Sequence, residues 1–205
     1  MSRAVPDFEL FRVEDTDGWK KVAAQQTYAD PYIQIERAQY LTPGRSQAPV
    51  TWTVAHRKSA VAVAPVLEDG RFVLISQERL PVQRVLWEFP AGQIDEPEGH
   101  ESRQVIVDTV LRELKEESGC ELAADGRIEP LGYFLPSQGF TTEHVYLFRA
   151  SPVCVVSRPE PDGSEHISDV RFVSAEELRR MIAENEITNA LTLALYARMS
   201  ARGMV

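Results

Sequence analysis

Three closely spaced glutamates carry the clearest chemical signal in this chain of 205 residues. Glu113, Glu116 and Glu117 belong to the stretch Arg-Glu-Leu-Lys-Glu-Glu, which begins at Arg112. On a helix with Arg112 at zero they project at about 100°, 40° and 140°, so they share one side. Carboxylates this close repel each other, and a divalent cation such as Mg²⁺ would relieve the repulsion. The alternative reading of these residues alone is a solvated acidic face.

The net charge of the chain is concentrated at the same place. The chain has 22 Lys and Arg against 31 Asp and Glu, a formal charge of −9. Residues 93–117 hold eight acids and three bases, and therefore contribute −5 of that total. An acidic total argues against nucleic-acid binding, which needs clustered Lys and Arg.

Composition and the chain start indicate the class of protein. The chain is 43% hydrophobic and 26% charged, as in globular proteins, and no apolar run approaches the roughly 18 residues of a membrane helix. The first residues lack the basic and then apolar layout of a secretion signal. Cys120 and Cys154 are too few for a disulfide framework. We therefore expect a cytoplasmic protein that does not interact with membranes.

Periodicity predicts the elements that would position the glutamates. Apolar alternation and short apolar runs predict strands over 32–41, 49–56, 59–67, 71–78, 86–89, 129–135, 144–150 and 170–173. A helix ending near Gly119 is predicted from an apolar stripe with i, i+3, i+4, i+7 spacing: Val107, Val110, Leu111 and Leu114. A capping box at Ser174 opens a second helix, and Asn189 caps a third that runs through Ala201. Strands and helices in no regular βαβ alternation predict the α+β class.

The glutamate stretch is part of a longer motif. Leu86-Trp-Glu-Phe-Pro-Ala-Gly92, Ile94-Asp-Glu96, Glu98 and the segment from Arg112 to Cys120 resemble the Nudix hydrolase signature G-x5-E-x7-R-E-U-x-E-E-x-G-U, in which U is apolar. Thirteen residues, where the signature has seven, separate Glu98 from Arg112. Counting back from Arg112 puts Gln104 at the usual place of the first glutamate, so whether Glu98 reaches the helix stays open.

The resemblance implies a fold and a metal site. The fold is the Nudix fold, a mixed β-sheet packed between helices (an α/β/α sandwich) with an N-terminal β-strand extension. The implied cation is Mg²⁺, with Mn²⁺ as the alternative, held by Glu113, Glu116, Glu117 and the carbonyl of Ala91. Such a cation neutralises a diphosphate and helps to position a water molecule. Glu117 and Arg112 are implied as catalytic, and a mere ion pair with Arg112 stays open for Glu116.

Segments on both sides of the signature resemble the ADP-ribose pyrophosphatase branch of the family. By that resemblance Trp52 stacks on the adenine ring, while Arg57 and Arg79 contact the substrate. Each has a plain alternative. Trp52 is in register with Val50 and Val54 and could pack in the core, and the two arginines could be ordinary surface residues.

Four further residues lie in matching segments. Glu88 matches a glutamate that contacts substrate or metal, and its alternative is a strand-end carboxylate without a role. Glu165 matches the loop glutamate that acts as general base, and its alternative is a solvated loop acid. His166 is a rival base, and Glu143 aligns with a recurrent acid of the family.

The resemblance also implies a domain organisation and an activity. Residues 1–57 form an N-terminal strand region for dimerisation and the base pocket, and residues 58–205 form the hydrolase domain of a homodimer. The implied reaction is Mg²⁺-dependent hydrolysis of ADP-ribose to AMP and ribose 5-phosphate. One alternative substrate is another nucleoside diphosphate sugar, such as GDP-mannose or UDP-glucose. A catalytically silent module that binds ADP-ribose is the other alternative.

Overall fold

A computed structural model describes residues 5–96, 99–161, 163 and 165–205. These residues form ten strands: β1 (Lys20–Ala29), β2 (Gln34–Thr42), β3 (Arg45–His56), β4 (Ala60–Leu67), β5 (Phe72–Arg79), β6 (Arg84–Glu88), β7 (Ala91–Gln93), β8 (Cys120–Phe134), β9 (Val145–Val155) and β10 (Ile167–Val173). They also form three α-helices, α1 (Arg103–Ser118), α2 (Ala175–Ala183) and α3 (Ala190–Ala201), and a 3₁₀ turn at Leu80–Val82.

The strands form two sheets. The first is an antiparallel sheet in the order β1-β2-β3, and it ends at His56. The second has the order β10-β5-β4-β9-β8, with β6 beside β5 and β7 beside β4. Only the β4–β9 pairing is parallel among the strand pairs of the described residues. Because β4 and β9 run in the same direction, the segments that precede them emerge at the same edge of the sheet.

Strand β4 is the centre of the molecule. Ala62 and Ala64 face an apolar cluster that includes side chains from α2 and α3, whereas Val61 and Val63 face a cluster built on α1. A strand buried on both faces needs a continuous apolar run, and this is the pattern in the sequence. The α/β/α sandwich and the α+β class are confirmed.

The predicted elements are present, with shifted boundaries and two omissions. Gly119 ends α1 in the left-handed conformation at a φ of 66°, and Ser174 and Asn189 cap α2 and α3. Strands β1 and β7 were not predicted. Over the described ranges, the structure contains no helix long and apolar enough to cross a membrane.

Candidate active site

Helix α1 buries two of its three glutamates. The sequence places them beside the core face, yet Glu113 is only 5% exposed and Glu117 is completely buried. The reason is strand β7, which packs against this flank of the helix. One carboxylate oxygen of Glu117, Oε2, accepts the backbone N–H of Ala91 at 2.7 Å.

The Glu117 carboxylate is buried, and only one of its two oxygens accepts a hydrogen bond. Its second oxygen, Oε1, is buried and has no hydrogen-bond partner within the described part of the chain. Burial raises the pKa of Glu117 well above its ordinary value, and the charges of Glu113 and Glu165 add to this effect. A buried carboxylate oxygen without a donor is a costly arrangement that a bound cation would relieve.

Glu113 occupies space that a glycine leaves free. A Cβ atom at position 92 would lie 2.0 Å from Glu113 Oε1, so only glycine permits this close approach. Burial raises the pKa of Glu113 to about 7, against the opposing charge of Arg112.

Arg112 bridges the carboxylates of this helix face. Its guanidinium lies 2.8 Å from Glu113 Oε1 and 2.9 Å from Glu116 Oε2, so the expected i, i+4 pair is present. A third acid, Asp95, has its Oδ2 3.8 Å from the same guanidinium. In this arrangement Arg112 offsets the charge of the cluster.

These side chains line a cavity of about 440 Å³. Nine of the candidate site residues named from the sequence contribute to its wall: Arg57, Arg79, Ala91, Arg112, Glu113, Glu116, Glu117, Glu143 and Glu165. The described lining also includes residues that the sequence did not single out as site residues, among them Tyr32, Asp95 and Leu191. The volume falls in the range of about 300–1,000 Å³ that is usual for small-molecule sites.

Trp52 and Glu88 are missing from the described lining of the cavity. Trp52 does not pack in the core, since it is 51% exposed on β3 and its indole N–H donates to the Gly139 carbonyl at 2.7 Å. Glu88 is 1% exposed, and its Oε1 accepts from Arg79 Nε at 2.8 Å. Burial raises the pKa of Glu88 against the charge of Arg79.

The parallel β4–β9 pair brings Arg57 and Glu143 to one edge of the cavity. Both precede these strands, and Arg57 Nε lies 3.7 Å from Glu143 Oε1. Burial raises the pKa of Glu143, and Arg57 opposes this shift. The alignment with a recurrent family acid was the signal for Glu143 in the sequence.

The candidate loop residues differ in where their side chains lie. Glu165 is exposed, lines the cavity, and adds a charge that raises the pKa of Glu113 and Glu117. His166 is exposed and is not in the described lining.

Glu98 lies outside the described residues. Within the insertion that follows it, Glu101 is buried and accepts a hydrogen bond from Ser59 at 2.5 Å.

The donor set fits a divalent cation in part. The unpartnered Oε1 of Glu117 and the repelling carboxylates around it are the chemistry that such an ion stabilises. The described residues contain no group of three His, Cys, Asp or Glu side chains already arranged to hold a metal ion. Instead, Arg112 holds Glu113 and Glu116 in ion pairs.

Comparison with known proteins defines the class. The NUDIX domain family matches residues 56–195, so the chain belongs to this family and is a hydrolase that acts on diphosphate bonds. Within the family it resembles the ADP-ribose pyrophosphatases. It is 27% identical over 173 residues to the ADP-ribose pyrophosphatase of Bacillus subtilis (strain 168), which covers 84% of this chain and 88% of the relative.

A second relative agrees with this class, and a solved structure agrees with the fold. The ADP-ribose pyrophosphatase of Mycobacterium tuberculosis (strain ATCC 25618 / H37Rv) is 26% identical over 179 residues, with coverage of 86% of this chain and 80% of the relative. The crystal structure of an ADP compounds hydrolase superposes with a TM-score of 0.72 at 14% identity, covering 94% of this chain and all of that one. This last likeness supports the fold alone.

Proposed function

We propose that this protein hydrolyses the diphosphate bond of ADP-ribose, giving AMP and ribose 5-phosphate, with Mg²⁺ or Mn²⁺ as cofactor. The observation that carries the proposal is one cavity in which buried carboxylates of α1 face the arginines Arg57 and Arg79. Carboxylates suit a divalent cation and guanidinium groups suit phosphate oxygens, so together they suit a metal-bound diphosphate. The two pyrophosphatase relatives support the choice of ADP-ribose.

The residues that would hold the cation are Glu113, Glu116, Glu117 and the carbonyl of Ala91. Because the Ala91 N–H donates to Glu117, and the N–H and C=O of a strand residue point to the same side, this carbonyl is directed towards the helix. When bound, the cation supplies Lewis acidity at phosphorus and lowers the pKa of water. Arg112 would then exchange part of its ion pairing for contact with the substrate.

The proton-transfer role goes to Glu165. This carboxylate is exposed at the wall of the cavity, and the negative charges of Glu113 and Glu117 lie near it. An exposed carboxylate can accept a proton from an attacking water. Arg57 and Arg79 bind the anionic substrate, and the contribution of Glu88 passes through Arg79.

The base pocket is proposed to form in a homodimer. All ten residues of β1 are exposed, and the sheet β1–β3 and the turn between β1 and β2 carry exposed aromatic rings at Tyr28, Tyr32 and Trp52. Such a surface is typical of an interface, and a partner subunit could bring Trp52 to the adenine. Sedimentation of the purified protein tests this, because a stable monomer would exclude a shared base pocket. The two free cysteines suit the reducing cytoplasm, our proposed location.

The position of Trp52 favours a second candidate function, hydrolysis of other nucleoside diphosphate sugars. Since this ring lies outside the cavity of a single chain, the selectivity for adenine rests on contacts that one chain does not complete. Other nucleoside diphosphate sugars, such as GDP-mannose or UDP-glucose, could then fit the same diphosphate site. The retained glutamates of α1 argue against a silent binding module.

A substrate panel with Mg²⁺ tests the proposal. We expect a kcat/KM for ADP-ribose above that for GDP-mannose and UDP-glucose, with AMP and ribose 5-phosphate as products by mass spectrometry. Preference for another nucleotide sugar would refute the substrate. Binding of ADP-ribose without turnover of any compound would refute the enzymatic role.

A further inference from the structure

Asn189 links the start of α3 to the wall of the cavity. Its side-chain Oδ1 caps the helix by accepting the N–H of Thr192 at 2.9 Å. Its Nδ2 donates to Oε2 of Glu88, and the other oxygen of Glu88 accepts from Arg79 Nε. One amide therefore serves two purposes, because its oxygen caps the start of α3 and its nitrogen holds a buried carboxylate.

The same helix start fixes the backbone beside Glu88. The Phe89 N–H donates to Thr192 Oγ1 at 2.9 Å, and Thr192 Oγ1 donates to Asn189 Oδ1 at 3.1 Å. Thr192 is fully buried, and Phe89 is 1% exposed within the apolar cluster under α3. Glu88 thus has both carboxylate oxygens occupied and its neighbouring backbone tied down.

Arg79 is the last residue in the series of hydrogen bonds that runs from Asn189 through Glu88. Its side chain is one third exposed, whereas that of its partner Glu88 is 1% exposed. Burial acts against the charge of Arg79, but the Glu88 carboxylate raises its pKa. Arg79 lines the cavity, so Glu88 fixes a positive charge at the wall where an anion would bind.

We propose that Asn189 is a positioning residue that, through Glu88, holds the guanidinium of Arg79 in the geometry that binds the substrate diphosphate. This inference rests on the proposed function, because it assigns Arg79 to the same substrate. The amide is required rather than a carboxylate because only the amide can donate to Glu88. Asp at this position would cap α3 equally well but would set a second carboxylate against Glu88.

The variant Asn189→Asp separates the two purposes of the side chain. We expect this variant to fold with α3 intact, since Asp and Asn are equivalent caps, and any fall in melting temperature to come from the carboxylate pair at Glu88. We expect the KM for ADP-ribose to rise about tenfold with kcat within about twofold, because binding by Arg79 is lost in ground state and transition state alike. Ser174→Asp is the matched control, since it places a carboxylate at the cap of α2, away from the cavity.

A double-mutant cycle measured on KM distinguishes positioning of Arg79 from a purely structural role of Asn189. In an Arg79→Gln background, Asn189→Asp should raise KM no further, because both changes remove the same interaction. Independent, additive increases would overturn the proposal, as would an unchanged KM in Asn189→Asp. If Asn189→Asp does not fold, Asn189→Ser replaces it, because Ser retains a cap but is too short to reach Glu88.

The substrate preference of the wild-type enzyme distinguishes a failure of this proposal from a failure of the proposed function. If wild type prefers a different nucleotide sugar, the function is wrong, and the cycle is run on that substrate with the same criterion. If wild type hydrolyses ADP-ribose and Asn189→Asp has wild-type KM, the function stands and the role of Asn189 is wrong.

Discussion

Gly92→Ala tests whether the position of Glu113 determines metal binding. The new Cβ would lie 2.0 Å from Oε1, 2.1 Å from Cδ and 2.6 Å from Oε2 of Glu113, whereas ordinary contact begins at 3.4 Å. The carboxylate must therefore retreat by about 1.4 Å. Since Mg²⁺ accepts oxygen ligands only near 2.0–2.1 Å, a displacement of this size removes a ligand.

The expected effect is on metal affinity rather than on folding. The φ angle of Gly92 lies outside the left-handed region, and the clashing atoms are the end of a flexible side chain, so alanine fits the backbone. We expect the Mg²⁺ concentration for half-maximal hydrolysis to rise at least about tenfold, and Mn²⁺ binding without substrate, followed by electron paramagnetic resonance, to weaken in parallel.

Gly44→Ala is the control for this experiment. An added Cβ there meets nothing within 4 Å, and its φ is also outside the left-handed region. This variant should keep wild-type metal dependence. If Gly92→Ala also keeps it while folded, the placement of Glu113 as a metal ligand is refuted.

Three further predictions concern single side chains. Glu117→Gln should remove most turnover while circular dichroism stays native, because the buried oxygen without a partner is the proposed ligand; a near-normal kcat with Mg²⁺ would contradict this. In metal-free buffer, burial raises the pKa of Glu113 from 4.5 to about 7, so the folded state binds the proton more tightly than the unfolded state does. The free energy of unfolding should therefore fall by up to about 3 kcal/mol as the pH rises from 4.5 to 7. Thermal unfolding at pH 5 and 8 should show a smaller loss in Glu113→Gln, and equal losses would exclude the shift. Trp52→Ala should leave the melting temperature unchanged because the ring is half exposed, and should raise the KM for ADP-ribose roughly five- to 150-fold if the ring stacks on adenine; an unchanged KM would remove it from the base pocket.

Much of the fold could be predicted because its pattern is local. The run of apolar residues in β4 has only one arrangement that buries both faces, the middle of a sandwich. Strand β1 was not predicted because all ten residues of Lys20–Ala29 are exposed, so its sequence carries no alternation of buried and exposed positions. Strand β7 has three residues after a proline, too few for a periodic signal.

The site was only partly predictable because some of its contacts join distant residues. The i, i+4 spacing of Arg112 and Glu116 shows their ion pair directly. By contrast, the burial of Glu117 depends on the docking of β7 against α1, and helix geometry alone left this residue at the side of the core. The bond from Asn189 to Glu88 spans 101 residues and has no local signature beyond the helix cap.

The most direct test of the metal and diphosphate site is a crystal structure with Mn²⁺ and a non-hydrolysable ADP-ribose analogue, using anomalous scattering to locate the ion. We predict an anomalous peak in contact with Oε1 of Glu117, with the diphosphate between this ion and Arg79. A diphosphate bound in this cavity with manganese only at other sites, or an analogue bound elsewhere, would contradict the account.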